Sequence, residues 1–143
     1  MAIVGVGVDI VRSSRLRQAF DRHGDKFLRR YLHPKEIHQF QRLSDPQAQT
    51  QFLASRWAVK EATYKAFKSW RILFPDILLV KQTPVCPIEL QDTFPPYRPV
   101  PGPVVAFDGA ARHLADALDV KVTRISMKLF YSSNLDHTRL SFP

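Results

Sequence analysis

Two carboxylates, Asp9 and Glu61, and three cations, Arg56, Lys60 and Lys65, are the residues of this chain best suited to handle a phosphorylated molecule. Carboxylate oxygens are hard ligands of the kind Mg²⁺ takes, usually one or two from the protein, with phosphate and water completing the shell. The three cations then supply charge for the phosphates. Together they point to phosphoryl-type chemistry on a diphosphate substrate. Each residue also has a plainer reading. On a helix, Trp57, Glu61 and Lys65 follow one another at i, i+4 and i+8, and Glu61–Lys65 is then a surface pair worth about 0.2–0.5 kcal/mol. Asp9 reads equally well as a solvated acid on an edge strand.

The elements that must position these groups are legible around them. Phe52–Phe67, FLASRWAVKEATYKAF, carries Phe52, Leu53, Trp57, Ala58 and Ala62 near one stripe at a period of 3.6. Asp45 can cap this helix and Pro46 can take its first position, so it is expected to start there and to stop near Ser69. Ile3–Val11 reads as a strand, with Val4, Val6, Val8 and Ile10 on one face and Gly5, Gly7 and Asp9 on the other. Two glycines weaken a strand, and close approach of another backbone or a ligand would account for them. GVGVD is not a dinucleotide fingerprint, because the third glycine is missing.

Between these two stretches lie shorter helices. Ser13 or Ser14 can cap one that runs to His23 and ends at Gly24, with Leu16, Ala19 and Phe20 inward. A second carries Lys26, Arg29 and Arg30. A third starts at His33-Pro34-Lys35-Glu36, where Pro34 suits the first position and Glu36 the third, with Ile37 and Phe40 inward. Further on, Asp76–Lys81 reads as a strand, and Thr83–Pro103 holds most of the prolines and reads as an extended loop with an edge strand near Pro87–Leu90. Val104–Phe107 is a strand, Gly109–Asp119 a helix with Ala110, Ala111, Leu114, Ala115 and Leu118 inward, and Val120–Phe130 the last strand. The tail from Tyr131 carries no pattern.

The totals bound the class. A chain of 143 residues is expected to form one domain with a real core. No apolar run approaches the roughly 20 residues that span a bilayer. No secretory signal or Arg/Ser-rich leader is visible ahead of the first strand. Cys86 is the single cysteine, so an intrachain disulfide is excluded and a reducing compartment is expected. The net charge of +8 asks for an anionic partner: nucleic acid, a membrane surface, a phosphorylated small molecule or an acidic protein. Between Arg12 and Arg30, seven basic residues face only Asp21 and Asp25. Arg15 and Arg22 share the exposed side of their helix. This suits an acidic docking partner.

Taken together, GVGVDIV at Gly5–Val11 and FLASRWAVKEATYKAF at Phe52–Phe67 resemble the holo-acyl-carrier-protein synthases, the small single-domain 4′-phosphopantetheinyl transferases. FLRRYLHPKEIHQF at Phe27–Phe40 and FPDILLV at Phe74–Val80 match less strongly, in the expected order. The pairing of G-x-G-x-D with W-x-x-K-E-x-x-x-K is the specific part. The resemblance covers roughly the first 80 residues well. It implies an α+β fold, a small antiparallel sheet packed on a long helix in a single domain. It also implies a Mg²⁺-dependent transfer of the 4′-phosphopantetheine arm of coenzyme A to a serine of apo acyl carrier protein, as in fatty acid biosynthesis, releasing adenosine 3′,5′-bisphosphate.

On that resemblance, Asp9 and Glu61 are the metal ligands. Glu61 is the base for the carrier serine, directly or through a bound water, and Lys65 stabilises the leaving group. Arg56, Lys60 and Lys65 contact coenzyme A. Arg15, Arg22 and Lys26 dock the carrier protein. The family commonly assembles as a homotrimer with active sites between subunits. Lys68-Ser69-Trp70, where bacterial members have a Gly-Thr-Gly turn, leans toward the mitochondrial type, with the cytoplasm as the alternative. From about residue 128 the chain departs from the family: Lys128 and Leu129 stand where a second Ser/Thr and a His are usual. The alternative from another class is a catalytically impaired homologue that binds an acidic carrier protein. A nucleic-acid binder ranks lowest, since no RNP, zinc-finger or heptad signature is present.

Overall fold

The computed structural model describes residues 5–91 and 99–120. The expected strand over Val120–Phe130 beyond its first residue, and the atypical end from about 128, lie outside them. Among the described residues, six helices and two strands run in the order α1 (Ser13–His23), α2 (Asp25–Tyr31), α3 (Pro34–Gln41), α4 (Pro46–Ala66), β1 (Ile77–Gln82), α5 (Ile88–Gln91), β2 (Gly102–Phe107) and α6 (Gly109–Ala117). A 3-10 turn at Phe74–Asp76 leads into β1. The two strands pair antiparallel, with Ile77 opposite Phe107 and Gln82 opposite Gly102. The architecture is α+β, as expected.

Local sequence explains most boundaries. Asp45 accepts the Ala48 N–H at 2.8 Å and Pro46 opens α4. At α3 the His33 side chain accepts from Lys35 N–H while Glu36 reaches back to the His33 N–H, a reciprocal cap. Gly24 ends α1 at φ +52°, a region glycine enters without steric cost. The start of α1 is different from expectation: Arg12 is its N-cap, with no side-chain cap bond from Ser13 or Ser14. Pro87–Leu90 is not an edge strand; Ile88–Gln91 forms a short helix. In α6, Ala111 and Ala115 are buried, but Ala110 faces solvent.

The long helix α4 sits between two apolar clusters. Leu53 joins Leu16, Leu28, Tyr31, Leu32 and Phe40 on the side of the first three helices. Val59 joins Ile77, Leu79, Val105, Ala111 and Ala115 on the side of the sheet and α6. Phe74 packs against both. A helix covered on more than one side cannot carry a single apolar stripe. The expected stripe is therefore only part of what α4 buries: Leu53, Ala54, Ser55, Val59 and Lys60 are its buried residues.

The glycine-rich segment runs along a further side of α4. Its described part, Gly5–Arg12, is not in a β-ladder, contrary to the strand expected there. The alternation survives but is turned inside out. Val6, Val8 and Ile10 are 70%, 71% and 80% exposed, and the glycine face is the one packed inward. A Cβ on Gly5 would stand 2.0 Å from the Ala66 carbonyl oxygen, and one on Gly7 would stand 1.7 Å from that of Ala62. Only glycine lets this backbone lie so close to a helix, the close approach anticipated from the sequence.

Candidate active site

Consecutive i, i+4 rows divide the chemistry of α4. One row is Trp57, Glu61 and Lys65; the adjacent row is Phe52, Arg56 and Lys60. The glycine segment lies over Ala62 and Ala66; of the first row, Trp57 packs instead against Phe27, Tyr31 and Phe74, and Lys65 is the member that reaches the segment. Helical side chains lean toward the helix N-terminus, so the Lys65 ammonium reaches back past the level of its own Cα. It donates to Asp9 Oδ1 at 2.9 Å and to the Val8 carbonyl at 3.3 Å. Asp9 is mostly buried and Lys65 about half exposed, at 12% and 46% of their side-chain surfaces. The Asp9 contact, with the Glu61 charge adding to it, holds the Lys65 ammonium above the ordinary lysine pKa. Glu61 is half-buried. Asp9, Glu61 and Lys65 thus lie together although Glu61 stands 52 positions after Asp9 in the chain, brought together by the glycine track.

The second row behaves differently. Lys60, expected on coenzyme A, is 1% exposed. Its ammonium pairs with Glu36 Oε2 at 2.8 Å and donates to the carbonyls of Phe74 and Ile77. An ammonium has three donors, and three acceptors are in place, so nothing remains for a phosphate. Burial lowers the Lys60 pKa and the Glu36 carboxylate opposes that. Lys60 is a core ion pair and not a coenzyme A contact. Glu36 also accepts the N–H groups of His33 at 3.1 Å and Leu79 at 3.0 Å. Sequence reasoning found Glu36 as a cap and missed its second role. A signal was present: Lys60 lies seven residues after Leu53, two turns on the same buried face.

Arg56, in the same row, stacks over the Phe52 ring at 3.6 Å and donates to Ser55 Oγ at 3.1 Å. Burial lowers its pKa. Its Nε is buried without a hydrogen-bond partner among the described residues. The structure does not bring Arg56 into the Asp9–Glu61–Lys65 cluster. Arg15, Arg22 and Lys26 are exposed along α1 and α2, together with Arg12, Arg29 and Arg30. Arg17 is engaged locally, with Asp21 at 2.9 Å and Gln49 at 3.1 Å.

The donor set decides which cation would suit the cluster. Among the described residues there is no group of three or more His, Cys, Asp or Glu side chains. That does not fit a closed four-ligand zinc site. Two carboxylates, one of them already balanced by an ammonium, fit Mg²⁺, which leaves most of its shell to water and substrate phosphate.

Residues 5–97 match the family model of the 4′-phosphopantetheinyl transferase superfamily. The chain belongs to that superfamily. The matched region contains both the glycine segment and α4. Among curated relatives, the holo-[acyl-carrier-protein] synthase of Bordetella pertussis is 44% identical over 78 residues, 48% of this chain and 51% of that protein. That of Yersinia enterocolitica is 48% identical over 67 residues, 47% and 51% of the two chains. The chain thus spans about half the length of the relatives it matches. The crystal structure of the holo-[acyl-carrier-protein] synthase from Neisseria meningitidis matches with a TM-score of 0.63 at 22% identity, over 85% of this chain and 84% of that one. The holo-ACP-synthase from Plasmodium yoelii matches at 0.62 and 20%, over 85% and 80%. These likenesses establish the superfamily's fold.

Proposed function

We propose that this chain transfers the 4′-phosphopantetheine arm of coenzyme A to a serine of apo acyl carrier protein. The observation that carries the reading is the convergence of Asp9, Glu61 and Lys65 beside the glycine track. The names of the relatives, and a Plasmodium yoelii acyl carrier protein synthase structure with ADP bound, support a nucleotide substrate.

The reaction balances through these groups. The serine oxygen bonds to the β-phosphorus of coenzyme A, and the bond from that phosphorus to the bridging oxygen of the α-phosphate breaks. Glu61 accepts the hydroxyl proton. Adenosine 3′,5′-bisphosphate leaves with the bond's electron pair, and Lys65 stabilises the charge on it. Asp9 holds Lys65 in place and, with Glu61, would bind Mg²⁺. When bound, that ion neutralises charge on the diphosphate and aligns it. Arg56, partly exposed, is assigned to coenzyme A outside the reacting centre. The exposed face of Arg15, Arg22 and Lys26 would meet the acidic carrier. A three-copy assembly with sites between copies, and a mitochondrial setting supported by Lys68-Ser69-Trp70, belong to the same proposal; native mass spectrometry and cell fractionation test them.

The test is to incubate the protein with coenzyme A, Mg²⁺ and an apo carrier and to weigh the carrier intact. The expected result is a gain of one phosphopantetheine, abolished by EDTA and by Glu61→Gln. A second reading, a non-catalytic module for an acidic carrier, draws on the exposed basic face. A folded sample that binds carrier without binding coenzyme A in Mg²⁺ would establish it instead.

A further inference from the structure

Glu61 has to project toward Asp9, yet no hydrogen bond among the described contacts orients it directly. The residue before it on α4 is fixed in the core. Lys60 and Glu61 are consecutive on α4, so their directions differ by a fixed turn of about 100°. Lys60 is held at three points: Glu36 on α3 at 2.8 Å, the Phe74 carbonyl of the 3-10 turn at 2.9 Å, and the Ile77 carbonyl at the start of β1. Glu36 is in turn held by the His33 and Leu79 N–H groups, so the pair ties α3, α4 and β1 at one buried point. Both side chains are 1% exposed. A buried ion pair is a poor source of stability compared with apolar packing, and its geometry is exacting. That makes it suited to setting the rotation of a helix.

We propose that Glu36 is a positioning residue for Glu61, acting through Lys60, which locks the rotation of α4 so that Glu61 and Lys65 face the glycine segment. The proposal rests on the reading of Glu61 as a functional carboxylate, but its first readout does not depend on transfer.

The experiment compares Glu36→Gln, Lys60→Met and the double variant by thermal melting, NMR and transfer kinetics. Each single change leaves one charge buried without its partner and lowers the melting temperature. The double variant buries neither charge and is expected to melt above both singles. The deciding readout is the set of nuclear Overhauser contacts from Gly7 to Ala62 and Ala66, which report how α4 meets the glycine segment. The expected result is their weakening or loss in the folded double variant. The same variant should lose about 10- to 100-fold in kcat, with KM for coenzyme A within about twofold of wild type. Wild-type contacts in the folded double variant would overturn the proposal, whatever its activity. If the double variant does not fold, Glu36→Gln is read by the same contacts: their weakening is the expected result, and wild-type contacts would overturn the proposal. A wild-type protein inactive in transfer would count against the proposed function alone, since the contacts still decide the role of the pair.

Discussion

Lys65 Nζ and Asp9 Oδ1 lie 2.9 Å apart, an ion pair that joins the last turn of α4 to the glycine segment 56 residues earlier. The pair keeps one acid and one cation of the candidate site in register. Because Asp9 raises the Lys65 pKa, the lysine's side of the contact persists through neutral pH and is lost as pH rises through the elevated lysine value. Asp9→Asn should return Lys65 toward the ordinary lysine range. It should cut transfer by about 100-fold or more, the size expected when one preorganised electrostatic contact is removed. Intact-mass kinetics, with circular dichroism to confirm the fold, check this.

Gly7→Ala should displace the segment that carries Asp9. The added Cβ would fall 1.7 Å from a helix backbone oxygen, which cannot move aside as a side chain can. Gly24→Ala makes a useful contrast, since nothing lies within 4 Å of its Cβ and only its backbone, at φ +52°, is strained. Gly7→Ala is expected to abolish transfer while the helical far-ultraviolet signal remains. Gly24 also sits at ψ −135°, outside the left-handed helical well, so Gly24→Ala should cost about 1–3 kcal/mol of stability and leave transfer intact.

Charge reversal on the exposed face should separate docking from chemistry. Arg15→Glu, Arg22→Glu and Lys26→Glu combined should raise KM for the carrier protein at least about tenfold and flatten its dependence on salt. KM for coenzyme A should hold steady. The three side chains are exposed and the melting temperature should move little. Steady-state kinetics at several salt concentrations measure it.

Lys68 occupies φ +44° just past the end of α4, a left-handed conformation that favours glycine. Lys68→Gly is expected to stabilise the protein by about 1 kcal/mol. That corresponds to a rise of about 2–4 °C in melting temperature for a chain of this size. Thermal denaturation is sufficient to see it.

His33 and Asp108 predict the acid side of the stability profile. His33 Nδ1 accepts the Lys35 N–H, so Nε2 carries the proton and donates to Asp108 Oδ2 at 3.0 Å. That bond, and then the Gly109 N–H, hold the Asp108 carboxyl below its usual pKa. The contribution is therefore present above the unfolded value of about 3.9 and is lost as pH falls through the lower folded value. Asp108→Asn should lose less melting temperature than wild type between about pH 6 and about pH 3.

The chain's own order of residues determined everything that depends on near neighbours. Asp45, Pro46, His33 and Glu36 mark helix starts because caps are built within one turn. Gly5 and Gly7 announce a close approach because no other residue permits one. The rows through Glu61 and through Lys60 follow from helical spacing alone. That spacing gives the angle between two side chains but not which of them faces inward. The tertiary structure decided that, by covering α4 from several sides at once. It drew Lys60 onto Glu36 and two carbonyls in the core, and left Lys65, five residues on, at the surface beside Asp9. It also turned Val6, Val8 and Ile10 outward, because the flat glycine face alone could seat against a helix backbone.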